Sequence, residues 1–291
     1  LYLDDIRDKG VGESIMTKYA HQPDELRWSL KPVLMLHLLE RYEKVAYCDC
    51  DLFFFSDHRF LMEELDLHAV LLTPHWRCSN PAVDLGNYNL LLREGLYNAG
   101  FIAAHRAGRK ALQWWANSCY TVCVKDSTSG QYDDQAHLNL LPIYFDRVHV
   151  IKHRGCNVAN WNRIECLRTP QPDGTVLING TFPTVFIHFT QSMISGVLKG
   201  QDPHLLPYLQ KFNSTLLRFD PSLDVIARTS DKLETERKEQ EKRIRKEQRS
   251  FPNLVRRVKR RVDEFSTGLL ESGRTNRHAQ AASFAQFVID A

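Results

Sequence analysis

Two aspartates separated by one residue, Asp49 and Asp51, are the side chains best suited to chemistry in this sequence. They follow an apolar run that begins at Lys44 and predicts a buried strand. Side chains alternate along an extended chain, so both carboxylates point to one side while Cys50 points to the other. Ligands bind at the carboxyl edge of open α/β sheets, and two hard oxygen donors there favour Mg²⁺ or Mn²⁺. The simpler alternative is a pair of loop carboxylates, since Asp-x-Asp is short and common.

Other polar and aromatic residues have ordinary structural interpretations that the residues alone leave open. Asp134 and Gln135 precede an apolar helix, where they could cap its first turn or complement its dipole. His188 interrupts an apolar strand, and a lone histidine in such a strand is usually a satisfied core residue. Trp114 and Trp115 share a helix and favour a role as core anchors over one as platforms for a sugar.

The elements that must position these residues alternate between strands and helices over the first 190 residues. Strands are predicted at 1–5, 44–55, 68–73, 96–104, 148–152 and 185–189, and helices begin at residues 23, 32, 59 and 109 and after residue 135. Residues 75–95 lack a clear period and are predicted to be a loop. Small residues at 96–104 would let another group approach that strand closely. The alternation predicts an α/β fold with a mostly parallel sheet.

Composition bounds the class of protein. The chain has 291 residues and 43% hydrophobic content, enough for a full core, and no apolar run approaches the roughly 20 residues of a transmembrane helix. No secretory signal pattern opens the chain. Its seven cysteines are odd in number and lack zinc-site spacing, which favours packed thiols in a reducing, cytoplasmic setting.

Charge separates the C-terminal part from the rest. The net charge is +3, but 14 Lys/Arg against 6 Asp/Glu between Arg228 and Arg261 give a local +8 and leave about −5 elsewhere. Residues 231–249 predict a solvated, charged helix. Residues 251–265 predict a basic amphipathic helix suited to an anionic membrane surface or a partner groove, unless it packs on the preceding α/β part of the chain. No nucleic-acid partner is expected.

Taken together, these segments resemble the GT-A glycosyltransferases, most closely family 8, which includes glycogenin and bacterial surface-glycan galactosyltransferases, and related bacterial nucleotide-diphospho-sugar transferases. The likeness covers roughly residues 1–195, and its pieces stand in the family's order. The pieces are Leu30-Lys31-Pro32 opening a helix, the Asp49-Cys50-Asp51 strand, Leu96-Tyr97-Asn98-Ala99-Gly100, Asp134-Gln135 before a helix, Asn157 in a loop, and Ile187-His188-Phe189-Thr190.

The resemblance implies a Rossmann-like GT-A fold and a role for each matching residue. Asp49, Asp51 and His188 would hold Mn²⁺ or Mg²⁺ on the donor diphosphate. The remaining assignments are Lys31 and Asn98 at the donor, Asp134 and Gln135 beside the reacting carbon, and Asn157 and Trp161 on the acceptor side.

Two departures from the family pattern stand out. The Gly and Lys that clamp the diphosphate after the metal histidine are not matched by Gln191 and Ile194, although Lys199-Gly200 could substitute after an insertion. The family's first strand is absent, since Leu1 to Asp5 resembles a later one, so the chain is expected to lack about 50 to 70 N-terminal residues. The expected domains are 1–225, a catalytic domain without its first strand-helix unit, and 226–291, a helical extension and tail.

The expected function is metal-dependent transfer of a hexose, with retention of configuration, from a nucleotide-diphosphate sugar. The acceptor would be a glycan, a lipid-linked molecule or a protein, and the enzyme would be cytoplasmic, peripheral at the inner face of the membrane. One alternative is a catalytically impaired homologue that only binds the nucleotide sugar. Another is a haloacid-dehalogenase-type phosphatase, which usually carries Thr or Val where Phe53 stands.

Overall fold

The computed structural model describes residues 3–126 and 128–271, with side chains of the last helix described as far as residue 246 and at 259 and 261. The chain divides into two compact units, residues 1–229 and 230–291. Among the described residues, no helix has both the length and the apolar character needed to cross a bilayer.

Nine α-helices and eleven strands are assigned within the described residues. The helices are α1 Gly12–Lys18, α2 Pro23–Arg41, α3 Arg59–Leu67, α4 Leu85–Glu94, α5 Arg109–Thr121, α6 Leu141–Tyr144, α7 Gln191–Leu198, α8 Leu206–Phe219 and α9 Val225–Glu271. The strands are β1 Lys44–Cys48, β2 Leu52–Phe54, β3 Val70–Pro74, β4 Tyr97–His105, β5 Lys125–Asp126, β6 Gln131–Tyr132, β7 Val148–Val150, β8 Arg168–Pro170, β9 Val176–Ile178, β10 Phe182–Pro183 and β11 Phe186–His188.

The central sheet has the strand order β1–β4–β3–β7. Strand β4 is antiparallel to both β1 and β3, whereas β3 and β7 are parallel. The prediction of a mostly parallel sheet is therefore wrong for the described strands, whose pairing is mostly antiparallel. The reason lies in the connection through α4, which leaves and re-enters the sheet at one edge, so that Pro74 pairs with Tyr97. Alternation of strands with helices does not reveal such a reversal, and the GT-A sheet stays a hypothesis.

Apolar side chains on both faces of this sheet hold the first unit together. Helices α2 and α5 cover one face, with Leu39, Leu112 and Trp115 fully buried. Helix α3 covers part of the other face through Leu61 and Leu65. The interpretation of Trp115 as a core anchor is confirmed, and this packing fixes the ends of the strands that carry the site.

Smaller sheets extend this frame. Strand β2 pairs antiparallel with β11, and β8, β9 and β10 form a three-stranded antiparallel sheet beside α7 and α8. A third apolar cluster joins β11 to these two helices through Phe189, Met193 and Phe212. The strand that contains His188 is therefore anchored from both sides.

Four predicted elements differ from the structure. The predicted buried strand at 44–55 is two strands, β1 and β2, separated by a turn, and only Val45 of β1 is buried. The predicted strand at 1–5 is wrong for residues 3–5, because Leu3–Ile6 forms a 3-10 helix, and residues 1 and 2 lie outside the described residues. The predicted break at Pro32 is wrong as well, because α2 continues through it with Leu30, Val33 and Leu36 buried against the core. The predicted loop at 75–95 contains α4, which Asp84 caps by accepting a hydrogen bond from the backbone N–H of Asn87 at 2.9 Å. Helix α4 buries no residue fully, which explains why it has no apolar period.

The predicted charged helix at 231–249 is confirmed for its described residues, most of which are exposed within α9. Ion pairs one turn apart join Lys238 to Glu234 and Arg237 to Glu241. The helix continues through Pro252. Apart from Lys259 and Arg261, the side chains behind the amphipathic prediction for 251–265 lie outside the described residues.

Candidate metal centre

Asp49, Asp51 and His188 come together although His188 is far from both aspartates in sequence. The two aspartates occupy the turn between β1 and β2, and β2 places Leu52 directly opposite His188 on β11. This register brings His188 Nε2 to 3.0 Å from Asp51 Oδ1. One ligand atom from each of the three residues lies within 4.8 Å of the others. The strand pairing thus gathers two carboxylates and an imidazole in one place.

Gly100 on β4 makes room for the His188 ring. A Cβ at this position would lie 2.6 Å from His188 Cε1 and 2.7 Å from Asn98 Oδ1. The backbone is fixed here as well, because the Gly100 N–H donates to Asn98 Oδ1 at 3.0 Å and the Gly100 carbonyl accepts from the Asp49 N–H at 2.8 Å. The predicted close approach to this strand is confirmed, and the approaching group is the imidazole.

The two aspartates have different electrostatic surroundings. Burial acts to raise the pKa of Asp51, but the hydrogen bond from His188, the charge of His188 and smaller contributions, including the charge of Lys31, together outweigh burial and leave the pKa below its ordinary value. Asp49 Oδ1 accepts a hydrogen bond from the Tyr47 hydroxyl at 2.8 Å. Burial, with help from the charge of Asp49, raises the pKa of Tyr47 well above its ordinary value. The phenol therefore stays protonated and keeps donating to Asp49.

Lys31 joins Asp49 to a third carboxylate. Its buried ammonium lies 3.4 Å from Asp49 Oδ1 and 3.3 Å from Asp134 Oδ2, and it donates to the Ala99 carbonyl at 3.3 Å. Burial acts to lower the pKa of Lys31, but the charges of Asp134 and Asp49 outweigh burial and raise it. Lys31 is therefore a permanent cation between two carboxylates.

Asp134 lies beneath the site and is 1% exposed. Burial raises the pKa of Asp134, and the charge of Lys31 partly offsets that rise. Burial and the charge of Asp134 also raise the pKa of neighbouring Asp133 to about 8. The backbone carbonyl of Asp134 accepts a hydrogen bond from Trp115 Nε1 at 2.9 Å. The capping alternative for Asp134 is wrong, because the 3-10 helix that follows, Ala136–Leu140, has no side-chain cap.

Gln135 and Asn98 belong to one buried amide network. Gln135 Oε1 accepts from Asn98 Nδ2 and from the Ala99 N–H, each at 3.3 Å, while its own amide nitrogen donates to the Glu94 carbonyl at 2.8 Å. His75 contacts the same network, with its Nε2 3.4 Å from Asn98 Nδ2. All of the polar atoms of Gln135 are therefore used to hold its neighbours in place.

Asn157 and Trp161 belong to a loop that packs beside His188. The Trp161 ring packs edge-on against His188 at 5.4 Å between ring centroids and against His75 at 5.7 Å. Asn157 is completely buried in a left-handed backbone conformation with φ of 63°. Its neighbour Val158 accepts a hydrogen bond from the His188 N–H at 2.9 Å, which ties this loop to β11.

Several polar atoms around the cluster have no hydrogen-bond partner within the described part of the chain. They include His188 Nδ1, Trp161 Nε1 and both amide atoms of Asn157. Buried polar atoms are nearly always satisfied, so this concentration is typical of a site that receives a polar ligand. The donor set of two carboxylates and one imidazole fits a divalent transition ion such as Mn²⁺, whereas Mg²⁺ prefers oxygen ligands throughout.

Three residues near the site were missed by the sequence interpretation. Arg77 forms a largely buried ion pair with Glu94, and the Arg77 guanidinium lies over the Trp161 ring at 6.0 Å. His75 is completely enclosed, and burial lowers its pKa to about 3. All three belong to the segment 75–95, which was predicted to be a loop. A cluster of His, Trp and Arg directly after a buried strand was the signal available.

The two positions that depart from the family pattern do not present a phosphate-binding group. Ile194 is 4% exposed and belongs to the apolar cluster around β11. The amide of Gln191 donates to Thr229 Oγ1 at 3.1 Å. Lys199 is exposed at the C-terminal end of α7.

No protein-family model matches the chain. It is similar to two Bacillus subtilis (strain 168) proteins described as uncharacterized, YfnD and YfnF. Identity to YfnD is 34% over 173 residues, covering 57% of this chain and 53% of YfnD. Identity to YfnF is 29% over 179 residues, covering 60% of this chain and 58% of YfnF. The chain thus spans a little over half the length of these relatives.

Among solved structures, the chain is similar to the apo form of mouse xyloside xylosyltransferase 1. The TM-score is 0.41 at 13% identity, covering 66% of this chain and 74% of the mouse chain. A TM-score at this level does not establish a shared fold.

Proposed function

We propose that this chain is a metal-dependent glycosyltransferase that moves a sugar from a nucleotide-diphosphate sugar to an acceptor. The observation that carries the proposal is the convergence of Asp49, Asp51 and His188, with His188 Nε2 3.0 Å from Asp51 Oδ1. These are the three residues that the resemblance to GT-A enzymes selects as metal ligands. The proposal extends to hexose transfer with retention of configuration, and the acceptor is a glycan, a lipid-linked molecule or a protein.

Some residues of the site would bind the metal ion and the donor, and others hold those residues in position. A bound Mn²⁺ or Mg²⁺ would supply Lewis-acid stabilisation of the charge that develops on the departing diphosphate, an effect of several kcal/mol. Asp49, Asp51 and His188 would hold that ion. Tyr47 and Lys31 restrain the Asp49 carboxylate through contacts of 2.8 and 3.4 Å.

Asp134 and Gln135 act in this proposal as positioning residues beside the reacting carbon. Asp134 balances the charge of Lys31 at 3.3 Å, which lets a buried ammonium stay beside Asp49. Gln135 fixes Asn98 at 3.3 Å, and Asn98 is the residue assigned to the donor sugar. Asn157 and Trp161, whose side chains carry unpartnered polar atoms, are assigned to the acceptor side.

A second candidate function is binding of a nucleotide sugar without turnover. It is favoured by one observation, the lack of a phosphate-binding group at the positions where the family clamps the diphosphate. Ile194 is buried and Gln191 is bonded to Thr229. A third and weaker candidate, the phosphatase, requires one aspartate to act as nucleophile on a phosphate ester.

One experiment separates the three candidates. The full chain is incubated with Mn²⁺ and a panel of nucleotide sugars, and released nucleoside diphosphate is measured with and without chelator. The proposal expects metal-dependent release that Asp51→Asn abolishes. Asp57→Asn, which changes an exposed carboxylate six residues further along the same segment, should release nucleoside diphosphate at the wild-type rate.

The other outcomes identify the rivals. Saturable nucleotide-sugar binding without release in any pairing of donor and acceptor would favour the binding protein. Phosphate release from phosphomonoesters, with no action on nucleotide sugars, would favour the phosphatase.

A further inference from the structure

A second group of metal-ligating side chains lies away from the candidate metal centre. It consists of Glu64 on α3, His68 directly after α3 and His149 on β7. One ligand atom from each lies within 4.8 Å of the others, and all three side chains are partly exposed. Glu64 Oε2 lies 3.4 Å from His68 Nε2, one helical turn apart.

The fold holds these three residues in place through its backbone. His68 is the C-terminal cap of α3, and its N–H donates to the Glu64 carbonyl at 3.0 Å. His149 lies opposite Leu71 in the parallel ladder between β3 and β7. Paired residues on neighbouring strands point to the same face of a sheet, and Leu71 packs with Leu65 of α3. His149 is therefore on the face that α3 covers.

The loop before β7 adds a second restraint. Arg147 Nε donates to the Leu67 carbonyl at 2.9 Å, and the Arg147 carbonyl accepts from the Ala69 N–H at 2.8 Å. The end of α3 is thus fixed against the start of β7. The two imidazoles stack at 4.2 Å between ring centroids with 17° between the ring planes.

This arrangement suits neutral imidazoles and is unfavourable for two imidazolium ions. Neutral imidazole is the form that binds metal. Two imidazoles and one carboxylate form a ligand set typical of zinc, which accepts a fourth ligand from water.

We propose that Glu64, His68 and His149 form a Zn²⁺ site that fastens the end of α3 to β7. The site is separate from Asp49, Asp51 and His188. Those aspartates follow the carboxyl end of β1, whereas His68 precedes the start of β3, which runs in the same direction as β1. The two clusters therefore lie toward opposite ends of the sheet, and the zinc proposal does not depend on the proposed function.

The test uses the full chain carrying Asp51→Asn and His188→Gln, so that the candidate metal centre cannot account for zinc binding. Zinc affinity is measured by competition with a chromophoric chelator, and bound zinc is counted after dialysis. We expect one zinc per chain, and we expect His149→Asn or Glu64→Gln to weaken binding by at least about tenfold. Zinc should also raise the melting temperature of the background protein, and this rise should be lost in His149→Asn.

The matched control is His105→Asn. His105 also faces a glutamate, with its Nε2 3.2 Å from Glu43 Oε1, but the pair belongs to no three-ligand cluster among the described residues. This variant should keep the zinc affinity of the background protein. The proposal is overturned if the background protein binds no zinc at micromolar free concentration, or if His149→Asn binds zinc as the background does. If the chain carrying Asp51→Asn and His188→Gln does not fold, bound zinc is counted instead in the wild-type chain and in its His149→Asn variant. The variant must then bind one zinc fewer than the wild type.

Discussion

Replacing Gly100 with alanine tests whether the position of the His188 ring depends on the absence of a side chain on β4. The added Cβ would lie 2.6 Å from His188 Cε1, whereas favourable contacts between carbon atoms are about 3.5 to 4.0 Å. The ring must therefore retreat by about 1 Å. Two contacts of the His188 ring oppose that movement. The Trp161 ring centroid lies 5.4 Å from the His188 ring centroid, and Asp51 Oδ1 lies 3.0 Å from His188 Nε2.

Two magnitudes follow from this shift. Overpacking of this kind lowers the free energy of unfolding by about 1 to 3 kcal/mol. A misplacement of about 1 Å in a catalytic group lowers turnover by roughly 100-fold. We therefore expect Gly100→Ala to fold, to bind Mn²⁺ more weakly and to lose most metal-dependent release of nucleoside diphosphate.

The assay combines urea unfolding with titration of Mn²⁺ by electron paramagnetic resonance. Gly86→Ala is the control, because its Cβ would meet its nearest neighbour, Asp84 Oδ1, at an ordinary 3.4 Å. That variant should keep the wild-type Mn²⁺ affinity and be at least as stable as the wild type, because alanine favours a helix more than glycine does. The reasoning is refuted if Gly100→Ala keeps wild-type stability and wild-type Mn²⁺ affinity.

Three further predictions concern buried charge, pH and the C-terminal helix. Lys31→Met leaves the buried carboxylate of Asp134 without its cation, so the free energy of unfolding, measured by urea titration, should fall by about 3 to 5 kcal/mol. The double variant that also carries Asp134→Asn should recover part of this loss. The pKa of His75 is about 3 in the folded chain and 6.5 in its ordinary state, so as pH falls the unfolded chain binds a proton at this histidine before the folded chain does. The free energy of unfolding should therefore drop by about 2 kcal/mol between pH 7.5 and pH 5, and by less in His75→Gln. If the basic residues of 251–265 meet a membrane, each contributes about 1 kcal/mol, and the chain should co-sediment with anionic liposomes at low salt only.

Each of these predictions has an outcome that contradicts it. For Lys31, the contradiction is a double variant no more stable than Lys31→Met alone. For His75, it is an unchanged pH dependence in His75→Gln. For 251–265, it is recovery in the supernatant that is equal for anionic and neutral liposomes and insensitive to salt.

The sequence was informative where a local pattern and a physical requirement coincided. The apolar run before Asp49 favours a strand, so the strand and the position of the carboxylates after it could be predicted from composition and alternation. Its burial could not be predicted, because among the described strands β1 lies at the edge of the central sheet and only its Val45 is buried. The close approach at Gly100 could be predicted from small residues in a strand. His188 could not be selected by its own surroundings, since a lone histidine in an apolar strand is usually a core residue. Only the resemblance to a family singled it out.

The rest of the site depends on pairings that a linear pattern does not encode. The direction of β4 follows from where α4 returns the chain to the sheet, and alternation of elements is the same for either direction. His75 and Arg77 enter the site because that return folds them back under Trp161, at 5.7 and 6.0 Å from its ring. The pairing of Lys31 with Asp134 likewise joins α2 to a segment more than 100 residues later in the sequence.

The central claim is that Asp49, Asp51 and His188 hold a divalent cation. The most direct measurement is anomalous diffraction from crystals of the full chain soaked with Mn²⁺. The account predicts one manganese peak bonded to all three residues at about 2.0 to 2.2 Å. Crystals grown with saturating Mn²⁺ and showing no peak there, with His188 still bonded to Asp51, would contradict it.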